Sequence, residues 1–232
     1  MAEGAHPAGL VLAIDTCGPS GSVALGRLAR GAVEILGQKE LAGRSYSATL
    51  VAAVADLLAG AAVRLGELAA IVAVNGPGSF TGVRVGLSAV KGLAEVHCIP
   101  VVPVSRLEVL AAKAAVACSA LDAHRNEVFL RLSRPGEEPR ELLAGANELA
   151  AIDPPPARIA VCDAAADLLR AAWPHAELVR VAAPTAADAL ALCAERVRRG
   201  EFTDLALLDG HYLRRSDAEI FGEPGAARPK SR

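Results

Sequence analysis

Aromatic side chains are scarce. One Trp, two Tyr and four Phe make up 3% of 232 residues, which argues against a surface that stacks nucleic-acid bases. An excess of one charge is lacking too. Lys and Arg number 24 against 26 Asp and Glu, for a net charge of −2. No basic footprint for nucleic acid or for a membrane surface follows from that balance. No run of about 18 apolar residues exists. The opening MAEGAHPAG has neither the basic start nor the apolar stretch of a signal peptide. The expectation is a cytoplasmic protein with no membrane span.

Motifs of common catalytic and metal sites are missing as well. The five cysteines (Cys17, Cys98, Cys118, Cys162 and Cys193) are scattered, odd in number and form no C-x-x-C. They read as buried, reduced thiols, not as a disulfide frame or a zinc site. No two histidines stand at i, i+3 or i, i+4, and H-E-x-x-H is absent. G-x-S-x-G is absent, and Ser79, although it follows a glycine, has no histidine suggested nearby. The expectation is no catalytic residue, no metal and no cofactor.

What the chain has is apolar bulk: 53% of residues are hydrophobic, enough to core one large domain or two small ones. LVLAIDT at 10–16 reads as a buried strand ending in Asp-Thr. Two more strands follow at 22–28 and 32–41 across Gly-rich turns, which predicts an antiparallel meander. At 45–63 the period changes. Leu50, Val54, Leu57 and Ala61 recur at helical spacing, with Ser45 or Ser47 as N-cap. Residues 68–75 return to a strand, a second helix covers 79–94, and 100–105 reads as a short strand. The second half repeats the theme: strand, turn and strand over 118–132, a strand within 154–164, a helix to residue 172 and a strand at AELVRV. A last helix at 184–200 has a Thr185/Asp188 capping box. The division predicted is a first lobe at 9–104, a second at 105–216 and a disordered tail at 217–232. The fold class is α/β, two ribonuclease H-like lobes.

NGPGSFTGVRVGLSAVKGLA, at 75–94, resembles a phosphate loop at first sight. A Walker A loop needs Lys after its last glycine, whereas Val83 follows Gly82 and the next lysine is Lys91. The G-x-G-x-x-G pattern also fails, because Thr81 holds the sixth position. Two readings stay open. Gly78, Ser79 and Thr81 contact an anion at a helix start, or Gly76-Pro77-Gly78 only turns the chain and Ser79 only caps the helix. Asp15-Thr16 likewise reads either as an Asx-type turn or as the aspartate that in actin-like ATPases helps hold the metal beside a phosphate-cradling hairpin. A Gly-rich adenosine loop is not found in the second half. The polar run Asp122 to Glu127 is either a solvated hairpin tip or a contact with a ligand or partner.

In the second helix Gly82 and Gly86 form G-x-x-x-G, continued by Ala89 and Leu93, while Val83, Leu87, Val90 and Ala94 form another apolar face. Glycine inside a helix costs about 1 kcal/mol relative to Ala, so close approach of a second backbone is expected to compensate. The first helix has the same surplus: Val51, Ala52, Ala55, Leu58 and Ala59 lie beside its main stripe. The two helices pack on each other or on a partner.

LAIDTCGPSGSVAL, the 75–94 segment, VPVSRLEVLA, LDAHRNEVFL and HYLRR occur in that order. Together they resemble the TsaB (YeaZ) family of bacteria, relatives of the TsaD (Kae1/Gcp) family in the actin-like/Hsp70 ATPase superfamily, over residues 10–215. GPGSFTGVR after a strand is the specific element. The resemblance implies two ribonuclease H-like lobes, the second degenerate. It implies a non-catalytic partner and scaffold of the transferase TsaD in forming N6-threonylcarbamoyladenosine in tRNA next to the anticodon. TsaE joins the complex, tRNA is met only through the complex, and the chain alone self-associates as a homodimer. The alternative from the wider family is an ATPase or a metallo-glycopeptidase. The pairing surface implied comprises Leu50, Val51, Val54, Leu58, Gly82, Val85, Gly86, Ala89 and Leu93. A vestigial nucleotide or anion contact would fall to Asp15, Thr16, Gly78 and Ser79. Many members have histidine where this chain has Tyr46, a departure expected to alter the edge of that surface.

Overall fold

The computed structural model describes residues 9–29, 31–43 and 45–214. Strand β1 (Leu10–Asp15) runs through the centre of the first sheet, and its apolar run is buried on both faces. Strands β2 (Ser20–Ala29) and β3 (Ala32–Ala42) extend it antiparallel, as the meander predicted. Helix α1 (Tyr46–Gly60) follows, then β4 (Leu68–Val74), α2 (Phe80–His97) and β5 (Val101–Val104), with β4 and β5 parallel to β1. The sheet order is β3-β2-β1-β4-β5.

A short helix α3 (Arg106–Lys113) leads to the second sheet: β6 (Cys118–Asp122), β7 (Val128–Leu132), β8 (Arg140–Ala144), α4 (Ala146–Ala150), β9 (Arg158–Val161), α5 (Ala165–Ala172) and β10 (Glu177–Arg180). Its order is β8-β7-β6-β9-β10, antiparallel among the first three and parallel for the rest. The two lobes therefore share one topology, and both are mixed α/β units of the expected ribonuclease H-like class. Helices α3 and α4 and strand β8 were not anticipated. All three are eight residues or shorter, below the length at which periodicity separates helix from strand.

The final helix α6 (Ala186–Arg198) changes the lobe division. Its Thr185 capping box is present: Asp188 N donates to Thr185 Oγ1 (3.3 Å) and Thr185 N donates to Asp188 Oδ2 (2.8 Å). Its apolar face lies on the first sheet, joining Ala189, Leu190 and Cys193 to the core around β1. Gly26, beside an irregularity in the β2–β3 register, makes room for Leu190, which would stand 3.1 Å from a Cβ there. Residues after 105 thus build part of the first of three hydrophobic clusters among the described residues, so a boundary at residue 105 does not separate the chain's cores. Of the cysteines, Cys17, Cys118 and Cys193 are buried as expected; Cys98 is exposed and Cys162 half-buried. The expected tail lies outside the described residues beyond Arg214. No helix among the described residues is long and apolar enough to cross a membrane.

Candidate functional site

The carboxyl ends of β1, β4, β6 and β9 converge on a cleft of about 1130 Å³ between the lobes. Crevices at strand carboxyl ends are where α/β sheets place ligands. The 75–94 turn forms one wall. Gly76 sits at φ +116°, and a Cβ there would stand 2.9 Å from the His211 carbonyl, so the position requires glycine. His211 N donates to Asn75 O (2.7 Å) and Arg106 N donates to Gly76 O (2.6 Å), which pins the turn from two sides. Ser79 N donates to Cys17 O (2.8 Å), and Ser79 Oγ accepts from Gly82 N (3.3 Å). Ser79 is thus a helix cap stitched to the β1–β2 turn. Ser79 and Gly78 both line the cleft.

Gly82 and Gly86 do not face a second helix. A Cβ on Gly82 would collide with the Thr16 carbonyl, and one on Gly86 would collide with Thr16 Oγ1. Thr16 Oγ1 in turn donates to Gly82 O (2.7 Å). The G-x-x-x-G spacing lets α2 lie against the end of its own β1. The expectation that these glycines admit a partner helix is corrected: both are buried inside the chain. Leu50, Val54 and Leu58 are also core residues, not surface, so the implied pairing set contracts. Val83, Leu87, Val90 and Ala94 face the sheet. Helices α1 and α2 lie side by side. On their outer side Val51 is 58% exposed, Val96 is 69% exposed, and Val85, Ala89 and Leu93 are half-buried.

Asp15 is committed internally. Its Oδ1 accepts from Cys17 N (2.8 Å), the Asx turn, and its Oδ2 pairs with Arg106 Nε (3.3 Å). Asp15 and Thr16 are both buried and neither lines the cleft. The guanidinium of Arg106, carried on the first turn of α3, stands where a metal-holding reading of Asp15 would need a cation. Burial alone would lower the Arg106 pKa, but Asp15, with Cys17 and Cys162, together outweighs it and the pKa is raised. Arg106 escaped the sequence reading, although Ser105-x-x-Glu108 is an N-terminal helix signal that would have placed it. Ser105 Oγ does accept from Leu107 N (3.2 Å).

Neighbouring groups are tuned toward neutrality. Burial, then Asp15, pushes the Cys17 thiol well up, which disfavours its thiolate. The same two causes push Tyr46 up to about 12. Tyr46 turns inward, donating from its hydroxyl to Gly18 O (2.8 Å), instead of standing at the edge of a surface. On the second lobe, Asp122 repeats the Asp15 motif: His124 N donates to Asp122 Oδ1 (2.8 Å). His124, Arg125 and Asn126 all sit at φ between 57° and 59°, and His124 is solvated. Among the described residues, no group of three or more His, Cys, Asp or Glu could hold a metal.

A second cluster ties the lobes together. Ser105 Oγ donates to Glu141 Oε2 (2.6 Å) and Arg131 Nη1 donates to Glu141 Oε1 (2.8 Å). His211 Nε2 lies 2.9 Å from Glu141 Oε2 but without hydrogen-bond geometry. Burial would raise the Glu141 pKa; His211, Ser105 and Arg131 outweigh it and hold the carboxyl below its ordinary range.

Comparison with known proteins places this geometry. Residues 34–146 match the family described as "TsaD: tRNA N6-adenosine threonylcarbamoyltransferase". The tRNA threonylcarbamoyladenosine biosynthesis protein TsaB of Haemophilus influenzae is 38% identical over 125 residues, 51% of each chain. TsaB of Escherichia coli is 34% identical over 125 residues, 51% of this chain and 52% of that one. The match thus spans about half the length of these curated relatives. YeaZ from Pseudomonas aeruginosa has a solved structure that superposes with a TM-score of 0.69 at 28% identity, over 88% of this chain and 100% of that one.

Proposed function

Because the chain belongs to the TsaB (YeaZ) family, we propose that it serves the formation of N6-threonylcarbamoyladenosine in tRNA as a non-catalytic partner of the transferase TsaD. The observation that carries the partner role is the outer side of the α1–α2 pair. Val51 and Val96 stand more than half exposed there, beside half-buried Val85, Ala89 and Leu93. An apolar helix pair of this kind completes itself by packing on a second one. Leu50, Val54 and Leu58 support that face from beneath, and Gly82 and Gly86 set its height by seating α2 on Thr16. TsaD offers the second pair in the complex. In its absence another copy of this chain does so, through an isologous contact. TsaE joins the TsaD complex, and tRNA reaches the chain only there.

Light scattering on size-exclusion fractions tests the pairing. The chain alone is expected to elute as a dimer, and with TsaD as a one-to-one heterodimer. V51E and V96E place a charge on the face at its two most exposed apolar positions and are expected to weaken both species at least tenfold. Unaltered pairing by both variants would refute this placement of the interface. Robust ATP turnover by the isolated chain would refute the non-catalytic role.

A further inference from the structure

We propose that residues 211–214 form a detachable strap across the interlobe cleft, latched to the second lobe by the Arg214–Glu127 ion pair, and that its release uncovers the apolar wall beneath Leu213. This does not depend on the partner role. The segment before the strap is fastened to the first lobe. Thr203 N donates to Val101 O (2.9 Å), and Leu208 is buried in the first cluster. Asn75 holds the chain twice: its Nδ2 donates to Asp209 O (3.3 Å), and its carbonyl accepts from His211 N (2.7 Å). Within three residues the chain is on the other lobe. Leu213 packs on the cluster of Leu107, Leu110, Leu121 and Phe129, and Arg214 pairs with Glu127 at the end of the β6–β7 turn. His211, Tyr212, Leu213 and Arg214 all line the cleft, so the strap forms part of its wall.

The two ends are held unequally. The first-lobe end rests on backbone hydrogen bonds and a buried leucine. The second-lobe end rests on half-buried Leu213 and on an ion pair whose side chains are 26% and 33% exposed. Attraction between charges that water reaches is modest and is screened by salt. Tyr212, between the two ends, is exposed; its ring meets Phe80 (centroids 5.1 Å apart) and its hydroxyl accepts from Arg84 Nε (3.4 Å). Segments with few buried contacts are the ones that open locally, short of global unfolding. The latch site is also strained. His124, Arg125 and Asn126, in the turn that ends at Glu127, hold φ of 59°, 57° and 59°. Consecutive left-handed residues other than glycine persist only where their surroundings hold them, and undocking removes one of those holds.

The chain carries its own reporters of release. Cys162 packs on the same cluster as Leu213. Burial, then Asp163, pushes its thiol up to about 11, so it reacts slowly while covered and faster once the strap lifts. Cys98 is exposed, whereas Cys17 and Cys193 are buried in the first cluster and react only when the first lobe unfolds.

Labelling of the folded full chain with iodoacetamide, resolved cysteine by cysteine by mass spectrometry and referred to Cys98, tests this. R214Q and E127Q each break the latch. Both are expected to speed Cys162 labelling at least tenfold, the loss of a charge-assisted hydrogen bond, while Cys17 and Cys193 keep their rates. The two changes shift the local charge in opposite directions, so a rise in both reports uncovering and not an altered thiol. Raising salt from about 0.05 M to about 1 M is expected to speed Cys162 in the unaltered chain and to leave R214Q unaffected. Hydrogen exchange in the two variants is expected to rise at residues 123–127 and to stay unchanged in β1 and β4. The proposal is overturned if either change leaves Cys162 at its original rate, or if Cys17 and Cys193 accelerate with it. It is overturned equally if salt acts alike on the unaltered chain and R214Q, or if exchange at 123–127 does not rise.

Discussion

Replacing Gly86 with alanine separates two explanations of the G-x-x-x-G spacing. In the structure a Cβ at Gly86 collides with Thr16 Oγ1, while the next atoms, Thr16 Cβ and Cγ2, lie at ordinary contact distances of 3.5 and 3.7 Å. Forcing the methyl in strains a close-packed contact, which costs about 1–3 kcal/mol. It also displaces the Thr16 Oγ1 hydrogen bond to Gly82 O, worth roughly 1 kcal/mol. Alanine's helix propensity returns about 1 kcal/mol. The net expectation is a loss of about 2 kcal/mol, or a Tm lower by roughly 4–8 °C for a chain of this size. With Thr16→Ala already in place the obstructing oxygen is gone, so Gly86→Ala becomes favourable by up to about 1 kcal/mol. Urea unfolding of the four chains, followed by circular dichroism at 222 nm, gives the coupling energy, expected near 3 kcal/mol as the difference of those two changes. Gly82→Ala gains no such relief, because its obstacle is the Thr16 carbonyl. If Gly86→Ala stabilised the otherwise unaltered chain, the glycine would serve something other than Thr16, and the correction drawn above would fall.

Three further outcomes follow from the same geometry. Arg106→Met leaves Asp15 buried without its cation and is expected to destabilise the chain by about 3–5 kcal/mol; D15N/R106M should recover much of that in the same unfolding assay. Glu141 has a folded pKa below its ordinary 4.5. Its stabilising effect is therefore full above pH 4.5 and lost as pH falls through the depressed value; E141Q should flatten the acid limb of a Tm-against-pH curve. Ser105→Ala removes both the α3 cap and the bond to Glu141, and a loss of about 1–2 kcal/mol is expected by denaturant titration.

Both sheets were legible where periodicity is strong. The buried run of β1, the meander behind it and the helical spacing of Leu50, Val54 and Leu57 are local signals, and the observed α1, at Tyr46–Gly60, differs from the expected helix only at its ends. What escaped was tertiary. Ala186 N donates to Ser22 Oγ across 164 residues, and no pattern within α6 says which sheet its apolar face will cover. The G-x-x-x-G spacing announces that something comes close without saying what. Here a threonine at a strand end meets the need as well as a helix would. Asp15 was singled out for its chemistry, but its partner Arg106 lies 91 residues away on a helix too short to register.

The central claim is that this chain acts as a partner of TsaD through the outer side of α1 and α2. It is tested most directly by reconstituting threonylcarbamoyl transfer to tRNA from purified components, with this chain, without it, and with V51E/V96E in its place. Modification that requires the chain, and falls at least tenfold with the face variant while the variant's unfolding curve is unchanged, is the expected result. Modification proceeding equally well without the chain, or undiminished with V51E/V96E, would contradict it.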